Sequence, residues 1–169
     1  MAEKVLVVYA SKYGATTGIA EKIGDTLREE GLQVDVLQAK KVGDLTQYDA
    51  FIIGSAVYMG QWRKDAANFL KNNENLLAGK PVWLFVSGPT GKGDATELMQ
   101  GWLYPGKLKP VIEAIKPRDI GVFHGNIDVS KLNFFERFII RMVKAEFGDF
   151  RDWHSIDTWA KTIADEQKK

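Results

Sequence analysis

Three short stretches of this 169-residue chain gather hydroxyls, glycines and polarisable rings at points where a backbone could meet a ligand. The first, Ser11-Lys12-Tyr13-Gly14-Ala15-Thr16-Thr17, follows an apolar run and leads into a helical pattern. Unpaired backbone N–H groups, hydroxyl donors and the positive end of a helix would converge there on a phosphate monoester. An ordinary hydroxyl cap on a strand-to-helix turn uses the same residue types. Gly14 and Gly18 lack the spacing of a GxGxxG dinucleotide loop. Gly91-Lys92 is no triphosphate loop either, because Val86 and Gly93 stand where a glycine and a hydroxyl are required. The second stretch runs Gly54-Ser55-Ala56-Val57-Tyr58-Met59-Gly60-Gln61-Trp62. Tyr58, Met59 and Trp62 are large, polarisable and off core helical spacing, which suits a flat aromatic ligand or a hydrophobic plug over the sheet edge. In the third, Ser87-Gly88-Pro89-Thr90-Gly91, two glycines let the backbone approach a ligand closely.

The elements that must position these stretches are legible from apolar periodicity. Short continuous runs at Val5 to Ala10, Val34 to Leu37, Phe51 to Gly54, Val82 to Val86 and Ile120 to Phe123 read as strands covered on both faces. Helical spacing intervenes over Thr17 to Glu30, Ala66 to Asn72 and Val111 to Ile115, and a last helix runs from about Ile156 to Ala164. Strands alternating with helices predict one α/β domain over residues 1–169, an open doubly wound parallel sheet with helices on both faces. Ligands bind such sheets beyond the carboxyl ends of the strands, where the three stretches fall. A phosphate cradle beside aromatic and backbone clamps describes a phosphorylated planar cofactor, and FMN fits that description.

Composition narrows the chemistry. The chain has no cysteine, so disulfides, thiolate-held metals and cysteine nucleophiles are excluded. With His124 and His154 as its two histidines, no histidine-rich metal site is expected. Redox work would therefore fall to a bound organic cofactor. A formal charge of +1 gives no electrostatic case for nucleic acid. Met1-Ala2-Glu3-Lys4 leads straight into Val5 without a signal-peptide core, and no stretch approaches the roughly 18 apolar residues of a spanning helix. The expected compartment is the cytoplasm.

Ser11-Lys12-Tyr13-Gly14-Ala15-Thr16 resembles the flavodoxin family's pattern Ser/Thr-x-Thr/Tyr-Gly-x-Thr, and the likeness extends through Gly54 to Gly60 and Ser87 to Gly91. The resemblance implies a three-layer, five-stranded flavodoxin-like sheet of order 2-1-3-4-5. It also implies that Ser11, Tyr13, Gly14, Ala15 and Thr16, with Lys12 in the same loop, hold the FMN phosphate. Ser55, Ala56, Val57, Tyr58, Met59 and Gly60 would border the isoalloxazine, together with Ser87, Gly88, Pro89, Thr90 and Gly91. Tyr13 stands where many flavodoxins have Thr. Asn133 to Lys144, then Gly148 to Trp153 and the Trp159-Ala160 helix, are similar to a narrower branch, the menaquinone-dependent protoporphyrinogen IX dehydrogenases and the flavodoxin-domain proteins grouped with them. That branch implies hydride transfer from a tetrapyrrole substrate to FMN and onward to a quinone, with no side chain assigned as catalytic acid or base.

The alternative is an electron carrier docking on redox proteins. Carrier flavodoxins are strongly acidic by family resemblance, which suits steering onto basic partners, whereas this chain is near neutral. A phosphoacceptor domain of the same fold is disfavoured by Gly54-Ser55, where an acceptor Asp is needed. Residues 132–147 form an amphipathic pattern, with Phe134, Phe135, Phe138, Ile139, Met142 and Val143 opposite Asn133, Glu136, Arg137, Arg141 and Lys144. Three uses stay open for it: peripheral contact with an anionic membrane and its quinone pool, contact with a partner protein, or packing on the sheet or in a homodimer. Gly148 to Trp153 reads as a structural turn in which Arg151 offers a bidentate partner to a carboxylate.

Overall fold

Strands that are apolar on both faces are satisfied only between two layers of helices, and the computed structural model places them there. It describes residues 3–58, 60–142 and 144–169, so the expectations for Met59 and Val143 lie outside the described residues. In chain order the elements are β1 (Lys4–Ala10), α1 (Ala15–Glu29), β2 (Gln33–Gln38), β3 (Ala50–Tyr58), β4 (Gln61–Trp62), α2 (Lys64–Asn72), α3 (Glu74–Ala78), β5 (Val82–Ser87) and α4 (Ala95–Leu98). They continue with α5 (Lys109–Ile115), β6 (Ile120–Phe123), β7 (Asn126–Ile127), α6 (Phe134–Met142), β8 (Gly148–Asp149) and α7 (Trp153–Gln167).

The long strands pair in parallel in the order β2-β1-β3-β5-β6, the doubly wound arrangement expected. Because side chains alternate across a strand, each strand feeds two cores. Leu6, Val8, Phe51, Ile53 and Leu84 pack with Phe69, Leu70, Leu77 and Ile112 from α2, α3 and α5. Val5, Val7, Ile52, Trp83 and Phe85 pack on the opposite face with Ile19, Ile23 and Leu27 of α1 and Ile156 and Ile163 of α7. The sheet order reverses between β1 and β3, so the first two ligand-facing stretches are neighbours.

Two local differences from the sequence reading bear on the site. Ser55 to Tyr58 are strand rather than loop, because β3 runs on and turns back into β4, with Val57 opposite Trp62 and Tyr58 opposite Gln61. The amphipathic pattern of 132–147 forms a helix only over Phe134–Met142; Lys144 takes a left-handed conformation with φ 56°. The chain then returns to β8, which pairs antiparallel with β7 beyond the end of β6.

Candidate functional site

The carboxyl ends of β1, β3, β5 and β6 open on one cavity of about 470 Å³. Its wall brings together Ser11, Lys12, Tyr13, Ala15 and Thr16 from the first stretch, Ala56, Val57, Tyr58 and Gly60 from the second, and Ser87 and Gly88 from the third. Gly14, Ser55, Pro89, Thr90 and Gly91 do not line it. The far side lies outside the three stretches and is made by Arg63, by Gly125 to Asp128 after β6, and by Leu132, Ile139, Ile140 and Ala145 of the α6 segment. Gly125, two residues past the end of β6, was a signal for the second of these. Nothing in the apolar pattern separated the inward Ile139 and Ile140 from their outward neighbours.

Each stretch is fixed by a small set of bonds. Gly14 caps α1 with φ 93°, a left-handed conformation that a side chain would strain, and its N–H donates to Ser11 Oγ at 3.0 Å. The Ser11 hydroxyl proton is left to donate elsewhere. Thr16, fully buried, shares a 2.9 Å hydrogen bond with Ser87 Oγ and so ties the first stretch to the third. Ser55 Oγ donates to Ala56 O (2.9 Å) and accepts from Arg63 N (2.8 Å), which sets the turn out of β3. Gly88 has no room for a side chain, since an added Cβ would lie 2.8 Å from Val57 O. The Gly125 N–H donates to Pro89 O at 2.9 Å and holds the third stretch from the β6 side. Thr90 Oγ1 is buried without a hydrogen-bond partner among the described residues.

Trp62 is a correction to the aromatic clamp: it is buried in the core and its Nε1–H donates to Leu103 O at 2.9 Å, so Tyr58 is the aromatic residue of that stretch in the cavity wall. Arg151 makes the expected bidentate contact, donating to Asp149 Oδ1 and Oδ2 at 2.9 and 2.7 Å, and lies over the Trp153 ring. Asp152 caps α7 by accepting from Ser155 N.

The α6 segment roofs the cavity. Asn133 Oδ1 accepts from Glu136 N at 2.8 Å and Glu136 Oε2 accepts from Asn133 N at 3.1 Å, a reciprocal capping box. The other oxygen, Oε1, accepts from both Lys12 Nζ and Tyr13 OH, and Lys131 Nζ donates to Tyr13 O at 3.3 Å. These donors, Lys12 first, then Tyr13 and the Asn133 N–H, hold the Glu136 carboxyl down at about 2. Glu136 in turn raises Lys12, while burial first and then Glu136 raise Tyr13. Lys12 is thus an ion-paired strap, with its ammonium 5.1 Å from the Tyr58 ring centroid. The helix is turned opposite to the usual amphipathic sense. Its carboxylate is buried, while Phe134 (87 % exposed), Phe135 (68 %), Phe138 (54 %) and Met142 (66 %) face outward.

Among the described residues no three His, Cys, Asp or Glu side chains converge on a metal position, and no helix is long and apolar enough to cross a membrane. A largely apolar cavity of this size with hydroxyls and a helix end at one side can hold a flat ligand carrying a terminal anion.

Comparison with known proteins places this geometry in context. A family model described as a flavodoxin domain matches residues 6–153. The chain is 21 % identical over 172 aligned residues to a protoporphyrinogen IX dehydrogenase [quinone] of Escherichia coli, covering 95 % of this chain and 94 % of that one. It is 31 % identical over 117 residues to an NAD(P)H dehydrogenase (quinone) of Bradyrhizobium diazoefficiens, covering 53 % of this chain and 59 % of the relative. Among solved structures, a flavodoxin from the domain Archaea superposes with a TM-score of 0.63 at 18 % identity, covering 98 % of this chain and 99 % of the other, a likeness of fold.

Proposed function

The chain belongs to the flavodoxin domain family, and from that premise we propose that it is an FMN-dependent oxidoreductase of one domain, oxidising a reduced substrate of the protoporphyrinogen IX type and passing the electrons to a quinone. The cavity suits FMN on three counts. Ser11 and the first turn of α1 offer hydroxyl and backbone donors to a phosphate; Tyr58, Val57 and Gly88 border a slot for a flat ring; and Leu132, Ile139 and Ile140 give that slot an apolar far side. Bound FMN would supply hydride acceptance and onward electron transfer. The protein's own part is positional. Ser11 and Thr16 fix one end of the ligand, Tyr58 and Gly88 its plane, and Leu132, Ile139 and Ile140 exclude water from above.

The observation that carries the enzyme reading over a carrier is α6. A carrier needs the edge of its cofactor free for docking, whereas here Leu132 and, from α6, Ile139 and Ile140 cover one side of the cavity. Its exposed phenylalanines, next to Lys131, Arg141 and Lys144, suit peripheral contact with a cytoplasmic membrane surface where a quinone is found. The test is anaerobic mixing of FMN-loaded protein with protoporphyrinogen IX and a menaquinone analogue, followed by porphyrin fluorescence against a protein-free control. Porphyrin formation that needs both protein and quinone is the expected result. Absence of turnover with flavin bound would make the protein a carrier.

A further inference from the structure

We infer that Arg63, not the Lys12 of the phosphate-loop pattern, supplies the positive charge that meets the cofactor's terminal phosphate. The inference rests on the FMN reading above and adds a residue that the sequence pattern does not contain.

Lys12 lies inside the loop, but its ammonium is paired with Glu136, so together they bring no net charge to the cavity. Arg63 reaches the same end of the site from the junction between β4 and α2. In the parallel register of β1 and β3, Ser55 lies beside Ala10, the last residue before the loop. Ser55 Oγ accepts the Arg63 N–H at 2.8 Å, so the Arg63 backbone is stitched to the strand position next to where the loop begins. Its side chain is half-buried and lines the cavity. Among the described residues its guanidinium has no carboxylate within ion-pairing distance. The acid in the cavity wall, Asp128, is exposed and its Oδ1 accepts from Ser130 N and Oγ.

An unpaired guanidinium in a mostly apolar wall favours an anion, and its planar fork fits two oxygens of a phosphate monoester better than a point charge would. The hydroxyls and N–H groups of the loop orient the phosphate; Arg63 makes the site prefer a dianion over an uncharged terminus.

The test is equilibrium binding of FMN and of riboflavin to flavin-free full-length protein, followed by flavin fluorescence, for wild type, Arg63→Ala and Arg63→Lys. Arg63→Ala is expected to weaken FMN binding roughly 10- to 100-fold, the range of a charge-assisted contact, and to leave riboflavin binding unchanged. Arg63→Lys should recover part of the loss, and raising the salt concentration should weaken FMN binding less in Arg63→Ala than in wild type. Equal weakening of both flavins, or none of either, overturns the assignment. Wild type that prefers FMN while Arg63→Ala keeps that preference sinks Arg63 alone; wild type that binds neither flavin sinks the FMN reading and Arg63 with it. Arg63→Lys, which keeps the charge and most of the stem, guards against a loss caused by misfolding.

Discussion

Glu136 does two things with two oxygens: one closes the capping box of α6 and the other holds Lys12 and Tyr13 of the loop below. A helical wheel assigns it, with Asn133, to the outward polar side. The wheel knows nothing of a lysine some 120 positions earlier, and that ion pair turns the helix over. The pairing has a pH signature. The Glu136 carboxyl titrates near 2 in the fold against an ordinary 4.5, so its contribution to stability is complete above the unfolded value and disappears as pH falls from about 5 towards 2. Urea midpoints measured across that interval should fall more steeply for wild type than for Glu136→Gln; parallel curves would show that the pair contributes nothing. Ser11 and Thr16 carry a prediction of a different kind. Replacing both by Ala removes two hydroxyls from the proposed phosphate end, each worth roughly 1.5–3 kcal/mol as a bond to a charged group. FMN affinity should drop in a fluorescence titration, and undiminished affinity would remove the loop from the site. At Gly88, Ala would press its methyl onto Val57 O, so β3 and the third stretch must part. Overpacking of this kind costs about 1–3 kcal/mol, seen as a lower denaturation midpoint.

The elements were legible wherever burial alone decides them. Val5 to Val8 and Val82 to Val86 are apolar on both faces, so strand was the reading their pattern allowed, and Ile19, Ile23 and Leu27 could only be one side of a helix. The sequence was silent where pairing with a distant partner decides. Tyr58 belongs to a strand because it faces Gln61 across a tight turn, and Trp62 leaves the ligand because Leu103 accepts its N–H. The α6 helix is the clearest case, since its period was evident and its orientation was not. The outward face combines three phenylalanines and Met142 with Arg141, while its one carboxylate is buried and paired. A second copy laid against it would oppose arginine to arginine with no acid on the helix face to separate them; an anionic bilayer matches both the rings and the charge. Sedimentation with vesicles containing phosphatidylglycerol should capture the wild type, and the triple variant Phe134→Ser, Phe135→Ser, Phe138→Ser should stay in the supernatant at unchanged folding stability. Equal capture of the two proteins, or capture by vesicles lacking anionic lipid, would argue against this face.

At the scale of the whole molecule, two well-filled cores on either side of the sheet contrast with a roof that touches the rest through few residues. The sheet and α1 are held by fully buried Val, Leu, Ile and Phe side chains, so their amides should open only with the fold itself. The α6 segment has Leu132 and Ile140 buried, a carboxylate strap at one end and four apolar side chains turned to solvent. With little apolar area to lose, it should open on its own at a small fraction of the global free energy. A ligand filling the cavity beneath would contact Ile139 and Ile140 and make that opening costlier. Hydrogen exchange read peptide by peptide should therefore show residues 131–142 exchanging faster than α1 in flavin-free protein. On adding saturating FMN, those residues should slow by about tenfold or more, a shift of roughly 1.4 kcal/mol. Saturating ligand also raises the global free energy, by about 2.7 kcal/mol at a hundred times Kd, so the strands slow as well. The discriminating quantity is the flavin-free state: if 131–142 already exchange as slowly as α1 there, the roof is part of the core and access to the cavity must be sought at its other wall, by the β3–β4 turn.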